Sequence, residues 1–154
     1  AALRGCDEGA AALSEAATRC GASLRLCGRR DGLPAKLARL AAAPPVTASG
    51  KTLLWFLRYG GRDEIARAAA AYFREHPDEK LGDDGLDAYL DTAGVPDPDL
   101  IILAGGPLKA PDALVWQGSY AELWHTAAPW AAFGAADLRR AVADYHTRQR
   151  RFGG

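Results

Sequence analysis

Two short apolar runs constrain the fold of this chain more than any other feature of its sequence. Residues 53–57 read LLWFL and residues 100–103 read LIIL. Short continuous apolar runs bounded by turn signals are typical of strands that are buried on both faces of a parallel sheet. A pair of glycines follows each run within 3 residues. We therefore expect two buried parallel strands, each of which ends in a glycine-rich turn.

Helical patterns surround these runs, because apolar residues recur at helical spacing in several segments. The segments predicted to be helices are residues 1–20, 33–43, 62–75, 83–90 and 135–151. In the last of them, Leu138, Val142 and Tyr145 share one face and are expected to point inward. Acidic residues open the helix at 62–75, where the helix dipole favours them.

The remaining patterns complete an α/β prediction. Residues 22–27 alternate apolar and polar side chains and predict a third strand, whereas residues 120–124 do not decide between strand and helix. Strands that alternate with helices indicate an α/β fold with a mainly parallel sheet flanked by helices. The length fits one domain over residues 1–154. In such sheets, ligands bind in the loops beyond the carboxyl ends of the strands.

Composition and charge limit the possible classes of function. Hydrophobic residues make up 49% of the chain and charged residues 25%, as in a globular protein with a buried core. The 19 basic and 19 acidic residues cancel, so the overall charge gives no indication of a nucleic-acid partner. No apolar run approaches the ~20 residues of a membrane span, and the 3 cysteines include no C-x-x-C pair. We expect no transmembrane segment and a cytoplasmic protein, with peripheral attachment to a membrane left open.

Common phosphate-binding and metal-binding motifs do not fit this sequence. Residues 49–52 read SGKT, but a Walker A loop needs a glycine where Pro45 stands and a helix where a strand is predicted. His76, His125 and His146 lie far apart and lack the spacing of metal ligands. The function has to be inferred from less common strings.

Three short strings are more informative, namely residues 59–65 (YGGRDEI), 116–123 (WQGSYAEL) and 148–154 (RQRRFGG). In the first, two glycines let backbone N–H groups approach an anion at the start of a helix, and Arg62 adds a positive charge. A tight turn from a strand into a helix would have the same sequence. The basic terminal string, taken alone, is typical of a solvated helix end.

Together, and in this order and spacing, the three strings resemble those of the cis-prenyltransferases, the undecaprenyl diphosphate synthase family. The string PDPDL at residues 96–100 precedes an apolar strand, as it does in that family, and the resemblance extends over almost the whole chain. It implies a cis-prenyltransferase-like α/β fold, isoprenyl diphosphate substrates and a requirement for Mg²⁺. It also implies a dimer, either a homodimer or a heterodimer with another cis-prenyltransferase subunit.

The resemblance assigns roles to individual residues. Glu122 matches the glutamate that contacts the metal in the family. Arg151 and Gly153 match a terminal Arg-x-Gly that reaches across the dimer interface towards the diphosphate site of the partner. Arg62 and Lys109 complete the substrate-binding set that the resemblance implies. The sequence assigns no catalytic residue.

Three replacements near the second apolar run depart from the family pattern. Leu103 stands in place of a strand-end Arg, Lys109 in place of a second Arg, and Pro111 in place of a Ser. In the family, those Arg and Ser side chains hold the diphosphate of isopentenyl diphosphate. Charge-assisted hydrogen bonds of this kind are worth about 1.5–3 kcal/mol each. A loss of about 2–3 kcal/mol at Leu103 alone predicts a roughly 30- to 150-fold weaker affinity.

Two family features are expected to lie outside this sequence. The family's phosphate-binding loop and its magnesium-binding Asp belong to a front segment that precedes the part matched here. Residue 1 is Ala and the sequence contains no Met, so we expect a fragment or a processed form that represents the C-terminal portion of the fold.

Two functions remain open at this point. The first is a divergent enzyme that acts on allylic diphosphates with an altered isopentenyl diphosphate site. The second is a non-catalytic subunit that lends its terminal Arg151-Phe152-Gly153 string to an active partner. The altered strand end favours the second function, and the retained Glu122 favours the first.

Overall fold

The computed structural model describes four stretches of the chain, residues 6–42, 50–82, 84–106 and 112–150. The chain divides into two compact units, Ala1–Val95 and Pro96–Gly154. In its described residues each unit contains one two-stranded parallel sheet, and helices flank the strands. The predicted α/β class with parallel sheets is therefore confirmed. The single domain over residues 1–154 stays a prediction.

The first unit alternates helices and strands. Its elements are α1 (Cys6–Arg19), β1 (Ala22–Cys27), α2 (Ala35–Ala42), β2 (Lys51–Phe56) and α3 (Gly61–Glu75), followed by a 3₁₀ helix at Asp87–Tyr89. Strands β1 and β2 run parallel, with Ala22 opposite Lys51 and Cys27 opposite Phe56. The helix predicted at residues 83–90 is reduced to that single 3₁₀ turn, and Asp83 lies outside the described residues.

A small apolar core holds the first unit together. Ala10 of α1, Leu26 of β1 and Leu37 of α2 are buried against one another. Trp55 of β2 and Leu57, the residue that follows this strand, pack on the same cluster. The core therefore joins both helices to the sheet.

The second unit repeats the parallel pairing with fewer elements. They are β3 (Leu100–Ala104), β4 (Glu122–Thr126), a 3₁₀ helix at Trp130–Ala132 and α4 (Ala135–Thr147). Leu100 lies opposite Glu122 and Ala104 opposite Thr126. The stretch at residues 120–124, whose type the sequence left undecided, contributes to strand β4.

The apolar runs are less buried than the sequence predicted. The side chains of β3, and those of β2 from Leu53 onward, are half-buried rather than covered on both faces. Each of these strands pairs with one neighbour among the described residues. Strand β2 also begins at Lys51, before the apolar run, because backbone pairing extends through two polar residues.

Helix α4 does not bury the face that its apolar pattern indicated. Leu138 is 48% exposed and Val142 is 39% exposed, whereas Ala141 is fully buried. The helix packs on β4, and a small side chain such as that of Ala141 lets a helix backbone lie close to its neighbour. The larger side chains on either side then remain outside the contact. The predicted inward orientation is wrong for Leu138 and Val142, and Tyr145 is half-buried.

Apart from the segment at residues 83–90, the helices agree with the predicted segments except at their ends. Among the described residues, the longest is α3 with 15 residues, and its N-terminus lies one residue before the predicted one. None of the helices in the described stretches is both long enough and apolar enough to cross a membrane.

Candidate functional site

The turn between β2 and α3 carries the string that was predicted to approach an anion. Gly60 precedes the helix in an extended conformation, with φ −142° and ψ 132°. Its carbonyl accepts the backbone N–H of Glu64 at 2.9 Å, which starts the helix. Gly61 is buried, and Arg62 is exposed at the first turn. The strand-to-helix turn is confirmed, whereas substrate binding by Arg62 stays a prediction.

Glu64, in the first turn of α3, is almost completely buried, with 1% of its surface exposed. Its Oε2 accepts a hydrogen bond from the Tyr59 hydroxyl at 2.5 Å, and its Oε1 accepts one from the Asp91 backbone N–H at 2.8 Å. A buried carboxyl group is costly unless such bonds replace its hydration. Glu64 therefore ties the turn before α3 to the segment that follows the 3₁₀ helix.

The side chain of Asp91 joins two further segments. Its Oδ2 accepts the backbone N–H of Gly28 at 2.9 Å and Nη2 of Arg67 at 2.8 Å. Nη1 of Arg67 lies 3.3 Å from Oδ1, so the two side chains approach a bidentate pair. The hydrogen bond to Asp91 is the main reason that the pKa of Arg67 is raised above its ordinary value. Asp91 thus connects the end of β1 with α3.

A second carboxylate extends this arrangement to the loop after β1. Asp63 accepts hydrogen bonds from Nε of Arg67 at 3.0 Å and from Nε of Arg29 at 3.2 Å. These bonds from Arg67 and Arg29 hold the pKa of Asp63 below its ordinary value. Arg29, Asp63, Arg67 and Asp91 form one continuous series of ion pairs, which we call the charge network.

Gly28 is required by the close approach of the two strand ends. Its φ is +106°, in the region that favours glycine. A Cβ at this position would lie 2.0 Å from the carbonyl oxygen of Leu57. Any side chain would therefore push the loop after β1 away from β2 and break the hydrogen bond to Asp91.

The thiol next to Gly28 is buried, which disfavours its thiolate form. Burial is the main cause that raises the pKa of Cys27 to about 11, and Sγ donates a hydrogen bond to the Asp91 carbonyl at 3.4 Å. Because the thiolate is the reactive form, Cys27 acts as part of the packing at this edge of the sheet.

In the second unit, the loop after β3 has the predicted glycine turn. Gly105 and Gly106 have φ of +82° and +68°. The N–H of Gly105 bonds to the Thr126 carbonyl at 2.9 Å, and the carbonyl of Gly106 lies 3.0 Å from Nε2 of His125. Leu103, where the family has an Arg, is half-buried one residue before the end of β3. Lys109 and Pro111 lie outside the described residues.

Glu122 lies at the amino end of β4, where its N–H bonds to the Asp99 carbonyl at 2.9 Å. Its Oε2 accepts a hydrogen bond from Nη1 of Arg148 at 2.9 Å. The two side chains are 27% and 30% exposed, so solvent screens the pair only in part. The pKa of Arg148 is raised by its hydrogen bonds, first to Glu122 and then to Asp144.

Glu122 is the residue that the sequence predicts to contact a metal ion. In the described stretches, no three or more His, Cys, Asp or Glu side chains come together as a group that could hold a metal ion. Mg²⁺ commonly binds through one or two carboxylates and completes its coordination with water and substrate phosphates. Glu122 supplies one carboxylate, whose Oε2 is bonded to Arg148, and its role as a metal ligand stays a prediction.

The predicted site residues fall in different parts of the chain. Arg62 belongs to the first unit and Glu122 to the second. Lys109, Arg151 and Gly153 lie outside the described residues, so their roles stay predictions.

Several important residues were missed by the sequence analysis. Asp63 and Arg67 are four residues apart on a helix, a spacing that signals an ion pair and could have been noticed. The contacts of Asp91 with Gly28, Glu64 and Arg67 have no local sequence signal, and neither has the contact of Arg148 with Glu122, because these partners lie 24 to 63 residues apart.

Comparison with protein families and curated proteins gives consistent matches. Residues 6–153 match the family model of undecaprenyl diphosphate synthases. An isoprenyl transferase of Heliobacterium mobile is 39% identical over 142 residues, which are 87% of this chain and 55% of that protein. An isoprenyl transferase of Clostridium perfringens is 40% identical over 111 residues, 69% of this chain and 44% of that protein. The chain spans about half the length of the curated relatives it matches.

Solved structures share the fold. A probable undecaprenyl diphosphate synthase from Campylobacter jejuni superposes with a TM-score of 0.77 at 24% identity, covering 99% of this chain and 71% of that one. Lavandulyl diphosphate synthase from Lavandula x intermedia, solved in complex with dimethylallyl diphosphate, superposes with a TM-score of 0.72 at 28% identity. That match covers 86% of this chain and 61% of the plant enzyme.

Proposed function

Because this chain belongs to the undecaprenyl diphosphate synthase family, we propose that it is a divergent cis-prenyltransferase acting on isoprenyl diphosphates, with an altered isopentenyl diphosphate site. The turn before α3 carries this proposal. It brings the exposed Arg62 to the start of a 15-residue helix, where the helix dipole favours an anion. The plant relative that was solved with dimethylallyl diphosphate supports the same substrate class.

The proposed reaction makes a carbon–carbon bond. The bond between C1 of an allylic diphosphate and its diphosphate oxygen breaks, C1 bonds to the acceptor alkene, and the acceptor loses a proton. The departing diphosphate carries the developing negative charge, so cationic side chains and N–H donors lower the barrier. Arg62 is the group proposed to bind it in this chain. Lys109 belongs to the proposed isopentenyl diphosphate site, and Arg151 and Gly153 are proposed to reach the diphosphate site of the partner.

Magnesium is the proposed cofactor, with Glu122 as its carboxylate ligand. When bound, the ion would neutralise part of the diphosphate charge and make it a better leaving group. The chain's own contribution is a carboxylate at the amino end of β4, which is half-buried and already bonded to Arg148.

The altered isopentenyl diphosphate site rests on Leu103. A leucine side chain donates no hydrogen bond. The half-buried Leu103 near the end of β3 therefore cannot bind a phosphate group as an arginine guanidinium would. Lys109 retains a positive charge but lacks the planar fork of an arginine. We therefore propose a non-standard acceptor or a short product rather than a long polyprenyl chain.

Assembly and location follow the same reasoning. We propose a dimer through the C-terminal half, with a second copy or with another cis-prenyltransferase subunit. Large exposed apolar side chains in the second unit support an interface there, since Trp130 is 75% exposed and Tyr120 is 63% exposed. The proposed location is the cytoplasm, with peripheral contact to a membrane as an option for apolar products.

A non-catalytic subunit is the second candidate function. Leu103 and Pro111 favour it, because both replace groups that would bind a diphosphate. In this role the chain would lend Arg151 and Gly153 to an active partner.

One experiment separates the two candidates. The full-length native protein is incubated with Mg²⁺, radiolabelled isopentenyl diphosphate and a set of allylic diphosphates, alone and with an active family member. Incorporation by the protein alone supports the enzyme. Incorporation that requires the second subunit supports the partner role, and no incorporation or stimulation in either mixture contradicts both.

A further inference from the structure

One guanidinium group joins two parts of the second unit. Nη1 of Arg148 donates to Oε2 of Glu122 at 2.9 Å and to the Leu123 carbonyl at 2.8 Å. Nη2 and Nε of the same side chain donate to Oδ2 of Asp144 at 2.5 and 2.9 Å. Arg148 is therefore bonded at once to the start of β4 and to the last turn of α4.

Arg148 is also the first residue of the segment that leaves α4. Residues 148–150, which we call the exit segment, follow the helix, and the N–H of Arg148 bonds to the Tyr145 carbonyl at 3.1 Å. Two residues later, Arg150 pairs with Asp99 and lies 3.3 Å from the Tyr145 hydroxyl. Both arginines thus attach the exit segment to carboxylates at the amino end of the sheet.

The carboxylate of Glu122 would have to contact two cations, the guanidinium of Arg148 and the proposed metal ion. Glu122 is the proposed metal ligand, and in the structure its Oε2 is bonded to a guanidinium. Two cations that contact one carboxylate repel each other, and this repulsion is stronger where the group is partly shielded from water. A metal ion at Glu122 must therefore weaken the bond to Arg148.

We infer that Arg148 couples cation binding at Glu122 to the order of the exit segment. This inference rests on the proposed role of Glu122. A cation at Glu122 loosens the hold of Arg148 and increases the mobility of residues 148–150, which lead directly to Arg151 and Gly153. By reciprocity, the bond from Arg148 lowers the affinity of Glu122 for the cation by the same factor. Arg148 is a positioning residue in this scheme.

The test uses Mn²⁺ as the probe and the full-length protein without substrate. Paramagnetic broadening of NMR signals around Glu122 reports cation binding, and amide hydrogen exchange at positions 148–150 reports the order of the exit segment. We expect Mn²⁺ to broaden the Glu122 signals and to speed exchange at position 148 about fivefold or more. No turnover is measured, so the result is independent of the incorporation assay.

Three variants make the test specific. Arg148→Met should bind Mn²⁺ about fivefold tighter or more. Amide exchange at position 148 should already be fast in this variant without the ion, and adding Mn²⁺ should not change it. Glu122→Gln should abolish both the broadening and the response. Arg140→Met is the matched control. Arg140 lies on α4, its side chain is 70% exposed, and in its described contacts it pairs only with the nearby Asp137. This variant should behave like the unmodified protein.

Two results would overturn the inference. One is broadening at Glu122 with unchanged exchange at positions 148–150, which would mean that cation binding and the exit segment are independent. The other is absence of broadening near Glu122 both in the unmodified protein and in Arg148→Met, which would mean that Glu122 binds no cation. If Arg148→Met does not fold, Arg148→Lys keeps the charge with fewer donors and should give an intermediate response in both measurements.

Discussion

The backbone N–H of Gly28 donates a hydrogen bond to the carboxylate of Asp91 at 2.9 Å, although the two residues are 63 positions apart in the chain. The same carboxylate receives the guanidinium of Arg67 from α3. One aspartate therefore holds the loop after β1 and helix α3 together. The strand-to-helix turn that carries Arg62 begins this helix, so its position depends on residues that belong to none of the family strings.

Replacing Gly28 by alanine should break this arrangement. The new Cβ would lie 2.0 Å from the Leu57 carbonyl oxygen, at a φ of +106°. We expect Gly28→Ala to lower the free energy of unfolding by about 3 kcal/mol or more, measured by urea denaturation.

Gly50→Ala is the matched control, since Gly50 also has a positive φ, of +71°, but no atom within 4 Å of the added Cβ. It should cost only about 1–2 kcal/mol. Equal losses in the two variants would mean that backbone conformation alone, and not the close approach of the strands, explains the glycine.

The buried carboxyl group of Glu64 offers a second test. Glu64→Ala removes the acceptor for the Tyr59 hydroxyl and for the Asp91 N–H. We expect a loss of about 3 kcal/mol in the free energy of unfolding, because both donors stay partly buried. Glu64→Gln keeps one oxygen acceptor and should cost about 1 kcal/mol. A loss for Glu64→Ala no larger than that for Glu64→Gln would contradict the proposed role of these hydrogen bonds.

The charge network predicts how stability depends on pH. Hydrogen bonds from Arg67 and Arg29 hold the pKa of Asp63 below its ordinary value. A carboxyl group with a lowered folded-state pKa stabilises the fold above its unfolded pKa of about 3.9, and this contribution is lost as pH falls through the lower folded value.

Asp63→Asn should therefore reduce the free energy of unfolding at neutral pH and flatten its decline in acid. Urea melts across the acid range measure both effects. Curves of the unmodified protein and the variant that stay parallel down to the lowest pH would mean that Asp63 does not contribute to the acid dependence.

The sequence predicted best where a local pattern decides the structure. The alternation in β1 and the glycine that follows it set both ends of that strand correctly. The helical pattern of residues 62–75 predicted α3 to within one residue. By contrast, the start of β2 was missed. Lys51 and Thr52 pair with β1 through their backbones, and a search for apolar runs cannot detect such pairing.

The candidate site was harder to predict, because it depends on contacts between distant segments. Glu64 was assigned to the first helical turn, where the dipole favours a carboxylate, yet its partners bury it. Leu138 and Val142 were expected to point inward, but the helix approaches β4 through the smaller Ala141. Which side chains a helix buries depends on how it packs against distant segments, and the local sequence pattern does not show this.

The central claim is a divergent prenyltransferase whose isopentenyl diphosphate site is weakened at Leu103. Isothermal titration calorimetry with isopentenyl diphosphate tests it most directly, on the full-length protein and on Leu103→Arg, with Leu103→Gln as the uncharged control. We predict that Leu103→Arg binds roughly 30- to 150-fold tighter, and that Leu103→Gln gains little. An unchanged dissociation constant in a folded Leu103→Arg variant would contradict the claim that this strand end forms the isopentenyl diphosphate site.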